Sequence, residues 1–342
     1  MSEYTWPQVL GHLLAGESLS REGASWAMRQ IMQGEATASQ FGAFVASLRA
    51  KGEAVDEIVG LVSTMREFSE KVSVDFPVVD TCGTGGDRSG TINVSTIAAL
   101  VVAGAGGKVA KHGNRAASSS CGSADLLEEL GVKIDASPVQ VAQCITEVGI
   151  GFCFAPIFHP SMRHAAVPRR ELGVPTVFNF LGPLTNPAGA KHQVLGVSDA
   201  AMAPKMAEVL RALGTTHALV VHGSDGLDEI TTTGPTQVWE VTRDKVVQWT
   251  IDPTALGFAI AQPDSLKGGS VTENVKIALE VCAGTRGPEF DVVVINAAAG
   301  LVAADIAADM GAGVTLATES ILSGRARESL DGLIEVSNRP VQ

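Results

Sequence analysis

Asp80-Thr81-Cys82-Gly83-Thr84-Gly85-Gly86-Asp87, followed by Thr91-Ile92-Asn93-Val94-Ser95-Thr96, is the most informative stretch of this 342-residue chain. The β-branched pair Val78-Val79 precedes it, and Ser95-Thr96 opens an apolar run. Strand, glycine loop and helix in that order form the unit from which a parallel α/β sheet is built. Gly83, Gly85 and Gly86 let backbone N–H groups crowd one point, and a helix N-terminus adds positive potential there. An anionic guest such as pyrophosphate is expected. The loop is not GxxxxGK[ST], nor is it GxGxxG, because the final glycine falls at Arg88. An ordinary glycine turn would also start a helix; Asp87, Asn93 and Ser95 tip the reading towards a ligand.

Further along lies Lys111-His112-Gly113-Asn114-Arg115-Ala116-Ala117-Ser118-Ser119-Ser120, with Ser123 beyond it, after the short strand Lys108-Val109-Ala110. Lysine supplies a point charge, arginine a fork and the hydroxyls further donors, as phosphate binding requires. Alone it would read as a solvated basic loop. Beside a glycine loop at the end of a neighbouring strand it reads as the other half of a site, since ligands of open α/β sheets collect at that strand end.

Outward from these loops, short β-branched runs at Gly151 to Phe154, Val194 to Val197, Ala218 to Val221 and Val292 to Ile295 alternate with helical segments at Ala201 to Leu213 and Val271 to Val281. A largely parallel sheet follows. Before Val74 the periodicity is helical instead. Trp6, Val9, Leu10, Leu13 and Leu14 form one stripe, with Thr5 as N-cap and Pro7 in the first turn. Ala24, Met28, Ile31 and Met32 form a second, and Phe41, Phe44, Val45 and Leu48 a third; Ile58, Val59, Val62, Met65 and Phe68 form a fourth. Such helices bury their faces only against one another, so a small bundle is expected. The proline-rich stretch from Pro168 to Pro187 is read as returning the chain to that bundle. The domains are therefore 1–72, completed by about 165–190, and 73–342.

The net charge of -12 disfavours nucleic acid, which needs a broad basic surface. The apolar runs are too short to span a membrane. With no secretory pattern at the N-terminus, the five cysteines read as reduced thiols and the compartment as cytoplasmic.

GTGGD…NVST and KHGNRAASS…GSAD resemble the motifs of the anthranilate phosphoribosyltransferase family. The likeness continues through His159-Pro160-Ser161-Met162, Arg169-Arg170-Glu171-Leu172-Gly173, Phe178 to Pro187 and Gly226 to Ile230, in order along nearly the whole chain. The resemblance implies an α/β fold of nucleoside phosphorylase/phosphoribosyltransferase type: an N-terminal helical bundle plus a larger α/β domain with a mostly parallel sheet. It implies transfer of the phosphoribosyl group of PRPP to anthranilate, in tryptophan biosynthesis. PRPP would be held by Gly83, Gly86, Asp87, Thr91, Asn93, Val94, Ser95, Thr96, Lys111, His112, Gly113, Asn114, Arg115, Ala116, Ala117, Ser118, Ser119 and Ser123. Anthranilate would meet Gly83, Asn114 and Arg169, and two Mg2+ ions would be served by Ser95, Asp228 and Glu229. A homodimer through the helical domain is implied as well. Relatives usually carry lysine, and often serine, where this chain has Ser120 and Cys121, so one positive charge is missing. Cys82 and Cys121 read as packing residues; His112 and His159 are the candidate bases, with loop orientation the plainer role for His112. A pyrimidine nucleoside phosphorylase and a non-catalytic nucleic-acid-binding relative are the alternatives. The RREL…FNFLGPLTNP series argues against the first, and the acidic charge with Asp228, Glu229 and Asn114 against the second.

Overall fold

The computed structural model of the chain describes residues 4–116 and 120–340. Four helices come first: α1 (Trp6–Leu14), α2 (Arg21–Gln33), α3 (Ala38–Lys51) and α4 (Val55–Glu67). Local signals set their ends. Ser20 caps α2, Thr37 and Gln40 form a capping box on α3, and Gly34 stops α2 at φ 75°, a left-handed conformation glycine adopts without a Cβ clash. Thr5 precedes α1, but its hydroxyl donates to Gln8 Oε1 at 2.8 Å and caps no backbone N–H. Leu14 leaves the expected stripe and stands 78% exposed at the helix end. The apolar faces of all four helices meet in one buried cluster.

The sheet has seven strands in the order β3-β2-β1-β4-β5-β6-β7. β1 (Val79–Gly83), β2 (Val109–Gly113), β3 (Ile150–Phe154), β4 (His192–Gly196) and β5 (His217–Gly223) run parallel. β6 (Thr236–Thr242) and β7 (Val246–Ile251) add an antiparallel edge. Between the strands lie α5 (Val94–Gly104), α6 (Ser123–Glu129), α7 (Pro138–Val148), the single turn α8 (Ala155–Phe158), α9 (Arg163–Leu172), α10 (Phe178–Leu181) and α11 (Ala203–Ala212). The chain ends in α12 (Val271–Cys282), α13 (Pro288–Ala303), α14 (Met310–Leu322) and α15 (Arg325–Ser337).

Alternation along the strands assigns the two faces. Val79, Val109, Phe152, Val194 and Leu219 pack on the side of α5 and α13. Cys82, Leu195, Val197, Ala218 and Val220 face the other way, into the cluster that contains the N-terminal helices and α11. α9 packs on α2 and α3, and Phe178, Phe180, Leu181 and Leu184 join the same cluster.

One expected strand is a helix. Val292 to Ile295 lies inside α13, whose residues from Val292 to Ala303 are all buried. A short apolar run reads alike as a buried strand or a helix enclosed on every side, and here Pro288 starts a helix of 16 residues.

Candidate active site

The strand order reverses between β1 and β4, and the glycine loop leaves β1 at that point. This crevice at the strand carboxyl ends is the usual ligand position in such sheets. Gly85 and Gly86 take φ of 67° and 83°, and Arg88 joins them at φ 58°, an uncommon conformation for a residue with a side chain. The exit of β4 anchors the loop: Thr84 N–H donates to Gly196 O at 2.9 Å and Ser198 Oγ to Gly85 O at 2.8 Å. Beyond it, Asp87 accepts from Ser89 N–H at 3.2 Å and from Ser89 Oγ at 2.7 Å.

Two carboxylates, Asp228 buried and Glu229 half-buried, close the floor. Asp228 Oδ2 accepts from Gly85 N–H at 2.6 Å, and Glu229 Oε1 accepts from Ser95 N–H, in the first turn of α5, at 3.3 Å. A Cβ on Gly83 would collide with the Asp228 carboxylate, and one on Gly196 with the Asp228 main chain. Only glycine at these two positions admits Asp228. Burial, then the Asp87 charge, raises the Asp228 carboxyl above its usual range; burial, then Asp228, raises Glu229. Carboxylates pressed together in this way favour a cation. Among the described residues no three or more His, Cys, Asp or Glu side chains form a group that could hold a metal. Two carboxylates with a hydroxyl still suit Mg2+, a hard ion that keeps water and substrate phosphates in its shell. Asn93 Oδ1 adds a buried oxygen without a hydrogen-bond partner.

β2 runs through Gly113, so Lys111 and His112 extend from a strand and point to opposite faces. Lys111 Nζ, buried on the α5 side, donates to Thr81 O at 2.6 Å and lies 3.4 Å from Ser95 Oγ. His112 turns to the other face, where its ring centroid is 5.1 Å from that of His159. Burial lowers His112 to about 3, helped by His159 and Lys111, and burial lowers His159 to about 4. Both rings are neutral at neutral pH, and both Nε2 atoms are buried without a partner. Arg169, at the end of α9, lies over the Phe178 ring at 5.5 Å. Its guanidinium is half-buried and desolvated, with no carboxylate within ion-pair distance among the described residues. Arg170 is exposed.

Other expected residues are placed differently from one another. Val94 is buried and its N–H donates to Ile92 O; Thr96 N–H donates to Asn93 O. Asn93 Nδ2 donates to Cys121 O at 3.0 Å, and Thr91 pairs in a bridge with Lys267. Asn114 and Ser123 meet each other: Ser123 Oγ accepts from Asn114 N–H at 3.2 Å. Ala116 is exposed, and the Arg115 fork is engaged by Asp125 and Glu128. Ala117, Ser118 and Ser119 lie outside the described residues. Burial pushes the Cys82 thiol well above its usual value and Cys121 up to about 11, in keeping with packing roles.

The motifs leave several supporting residues unmarked. Asn296 on α13 accepts from Ile230 N–H at 2.9 Å and donates to Ile230 O at 2.7 Å, fixing the main chain beside Glu229. Asp80, fully buried in β1, accepts from His112 N–H at 3.1 Å and from Asn186 Nδ2 at 2.7 Å. The Asp80 of the opening stretch and Asn186 of the proline-rich one had no visible link, since 106 residues separate them.

Known proteins share this arrangement. A glycosyl transferase family model for the helical bundle domain matches residues 7–69, and one for the a/b domain matches residues 75–327. An anthranilate phosphoribosyltransferase of Arthrobacter sp. (strain FB24) is 51% identical over 333 residues, 96% of this chain and 94% of its own. The crystal structure of anthranilate phosphoribosyltransferase from Thermus thermophilus matches with a TM-score of 0.92 at 43% identity, covering 97% of this chain and 99% of its own. The enzyme from Saccharomyces cerevisiae in complex with PRPP and Mg gives 0.89 at 30% identity, over 98% of each chain. In complex with 4-fluoroanthranilate the yeast enzyme gives 0.87 at 28%, again over 98% of each.

Proposed function

The chain belongs to the anthranilate phosphoribosyltransferase family, and from that premise we propose how its site divides the work. The protein transfers the phosphoribosyl group of PRPP to anthranilate, giving N-(5-phosphoribosyl)anthranilate and pyrophosphate in tryptophan biosynthesis. The observation that carries the assignment to this site is the glycine loop at the strand-order reversal, closed by buried Asp228 and half-buried Glu229.

PRPP lies on the α5 side, along Gly83 to Thr96 and the loop from Lys111 to Ser123. Ser95, Asp228 and Glu229 hold Mg2+, with two ions in the full site. When bound, Mg2+ supplies positive charge to the pyrophosphate oxygens. Lys111 orients Ser95 and adds charge from beneath. Anthranilate lies towards the other face, where the unpaired Arg169 fork suits its carboxylate, with Asn114 and the Gly83 backbone beside it. The nitrogen lone pair bonds to C1 of the ribose as the C1–O bond breaks, and that electron pair leaves with pyrophosphate. The nitrogen, now positively charged, gives up one proton to the departing pyrophosphate or to water. The protein aligns the two partners and stabilises the departing charge. No residue is assigned as a general base, because an aromatic amine is already neutral at neutral pH.

The helical unit, 1–72 with about 165–190, is the surface through which two copies pair; 73–342 is the PRPP-binding unit. No helix among the described residues is long and apolar enough to cross a membrane, and the cytoplasm is the proposed compartment. The test follows the loss of anthranilate fluorescence with purified protein, PRPP and magnesium. Turnover that needs all three is expected; none with all present would overturn the assignment.

A further inference from the structure

Gly85 and Gly86 leave the peptide between them with no side chain on either flank to fix its plane. Both are exposed, at φ of 67° and 83°. Glycine tolerates either sign of φ, so this plane turns over at little cost unless something holds it. The preceding peptide is tied through Gly85 N–H, which donates to Asp228 Oδ2 at 2.6 Å. The Gly85–Gly86 peptide is held by its carbonyl instead. Ser198 Oγ donates to Gly85 O at 2.8 Å, and Thr84 Oγ1 reaches the same oxygen at 3.3 Å.

Ser198 is itself fixed in place. It is half-buried just past the end of β4, and its N–H donates to Thr84 Oγ1 at 3.2 Å. Thr84 N–H donates in turn to Gly196 O at 2.9 Å, so the exits of β4 and β1 grip each other. In a trans peptide the C=O and N–H point opposite ways, and the described residues contain no cis bond. With the Gly85 carbonyl held on Ser198, the Gly86 N–H is turned away from β4. Among the described residues that N–H has no partner. A free donor next along from the residue that touches Asp228 suits an anion that arrives with Mg2+.

We propose that Ser198 is a positioning residue for PRPP: its hydroxyl fixes the Gly85–Gly86 peptide so that the Gly86 N–H is presented to the pyrophosphate of the donor. This rests on the reading that the glycine loop receives that pyrophosphate. Ser198 acts through the backbone and does not touch the substrate.

The experiment measures KM for each substrate, kcat, the melting temperature and inhibition by inorganic pyrophosphate with Mg2+, in Ser198→Ala and Ser198→Thr. The alanine variant loses one hydrogen bond between neutral groups, so its PRPP KM should rise about 3–10-fold. Pyrophosphate should inhibit it more weakly by a similar factor, since that group carries the contact. The anthranilate KM should stay within about twofold. Ser198→Thr keeps the hydroxyl and should recover most of the loss. A lower melting temperature with PRPP and pyrophosphate unaffected would reduce Ser198 to a loop anchor and overturn the proposal. So would equal rises in both KM values, or a threonine variant as impaired as the alanine one. Should Ser198→Ala fail to fold, Ser198→Cys, a poorer donor, carries the same comparison. Gly86→Ala, strained at φ 83°, separates the two levels. If it and Ser198→Ala both leave pyrophosphate inhibition unchanged, the loop assignment falls and the proposal with it. If Gly86→Ala alone weakens inhibition, the role of Ser198 fails and the loop assignment stands.

Discussion

Single side chains here do different work according to the partners they lack. Arg169 is half-buried over Phe178 with no acid beside it among the described residues, a costly state that an incoming carboxylate relieves. Arg169→Ala should therefore raise the anthranilate KM about 10–150-fold, the equivalent of roughly 1.5–3 kcal/mol, and leave the PRPP KM nearly still. Steady-state kinetics with each substrate varied in turn checks this; a shift confined to PRPP would move the arginine to the phosphate side. His112 and His159 are buried neutral, with folded values of about 3 and 4 against about 6.5 in an unfolded chain. Between those values the unfolded chain binds protons that the native one does not. Stability should thus fall as pH drops from about 6.5 towards 4, by up to about 1.4 kcal/mol per unit for each ring. Urea unfolding across that range should show a shallower slope for His112→Gln; identical slopes would mean His112 is not buried neutral. Residue types with obvious chemistry were legible: glycines where backbone must crowd, a lysine and arginines, paired acids. The partnership of Asp80 with Asn186 was not, because the two lie 106 residues apart.

At the scale of elements, the alternation of strands and helices was readable up to β5, and the antiparallel β6 and β7 were not picked out. α13 was mistaken in part because its apolar residues point everywhere: it packs against α5 and α14 at once, leaving no polar face to reveal its period. That burial gives the helix a role at the site. Asn296 is a polar residue within it, and its amide satisfies both backbone groups of Ile230. Asn296→Ala would leave them unpaired, at a cost of about 1–3 kcal/mol. If that bond sets the position of Asp228 and Glu229, the variant should also need more magnesium for half-maximal rate. A magnesium titration at saturating PRPP checks this. A destabilised variant with an unshifted titration would confine Asn296 to the fold.

The whole molecule carries a net charge of -12, so copies repel one another at long range, with screening over about 8 Å at physiological ionic strength. The proposed pairing of copies would then have to come from contact between apolar surfaces. The helical unit offers some: Leu14 at the end of α1 is 78% exposed, Val167 on α9 47%, and Val174 just beyond it 60%. α1 and α9 both pack on α3, which ties these exposed residues to one framework. Scattered single apolar residues are ordinary on any surface, so exposure by itself does not decide; a measured mass does. Light scattering on the purified protein should give twice the chain mass of 35.3 kDa. Val167→Glu with Val174→Glu should return it to the single-chain mass, since a charge at a desolvated interface goes unpaired. The same variant should match the melting behaviour of the wild type at low concentration, where a dimer would have come apart. A dimer that survives both substitutions would place the pairing surface elsewhere. A monomeric wild type at micromolar concentration would remove the helical unit's proposed role and leave α1 to α4 as support for the crevice alone.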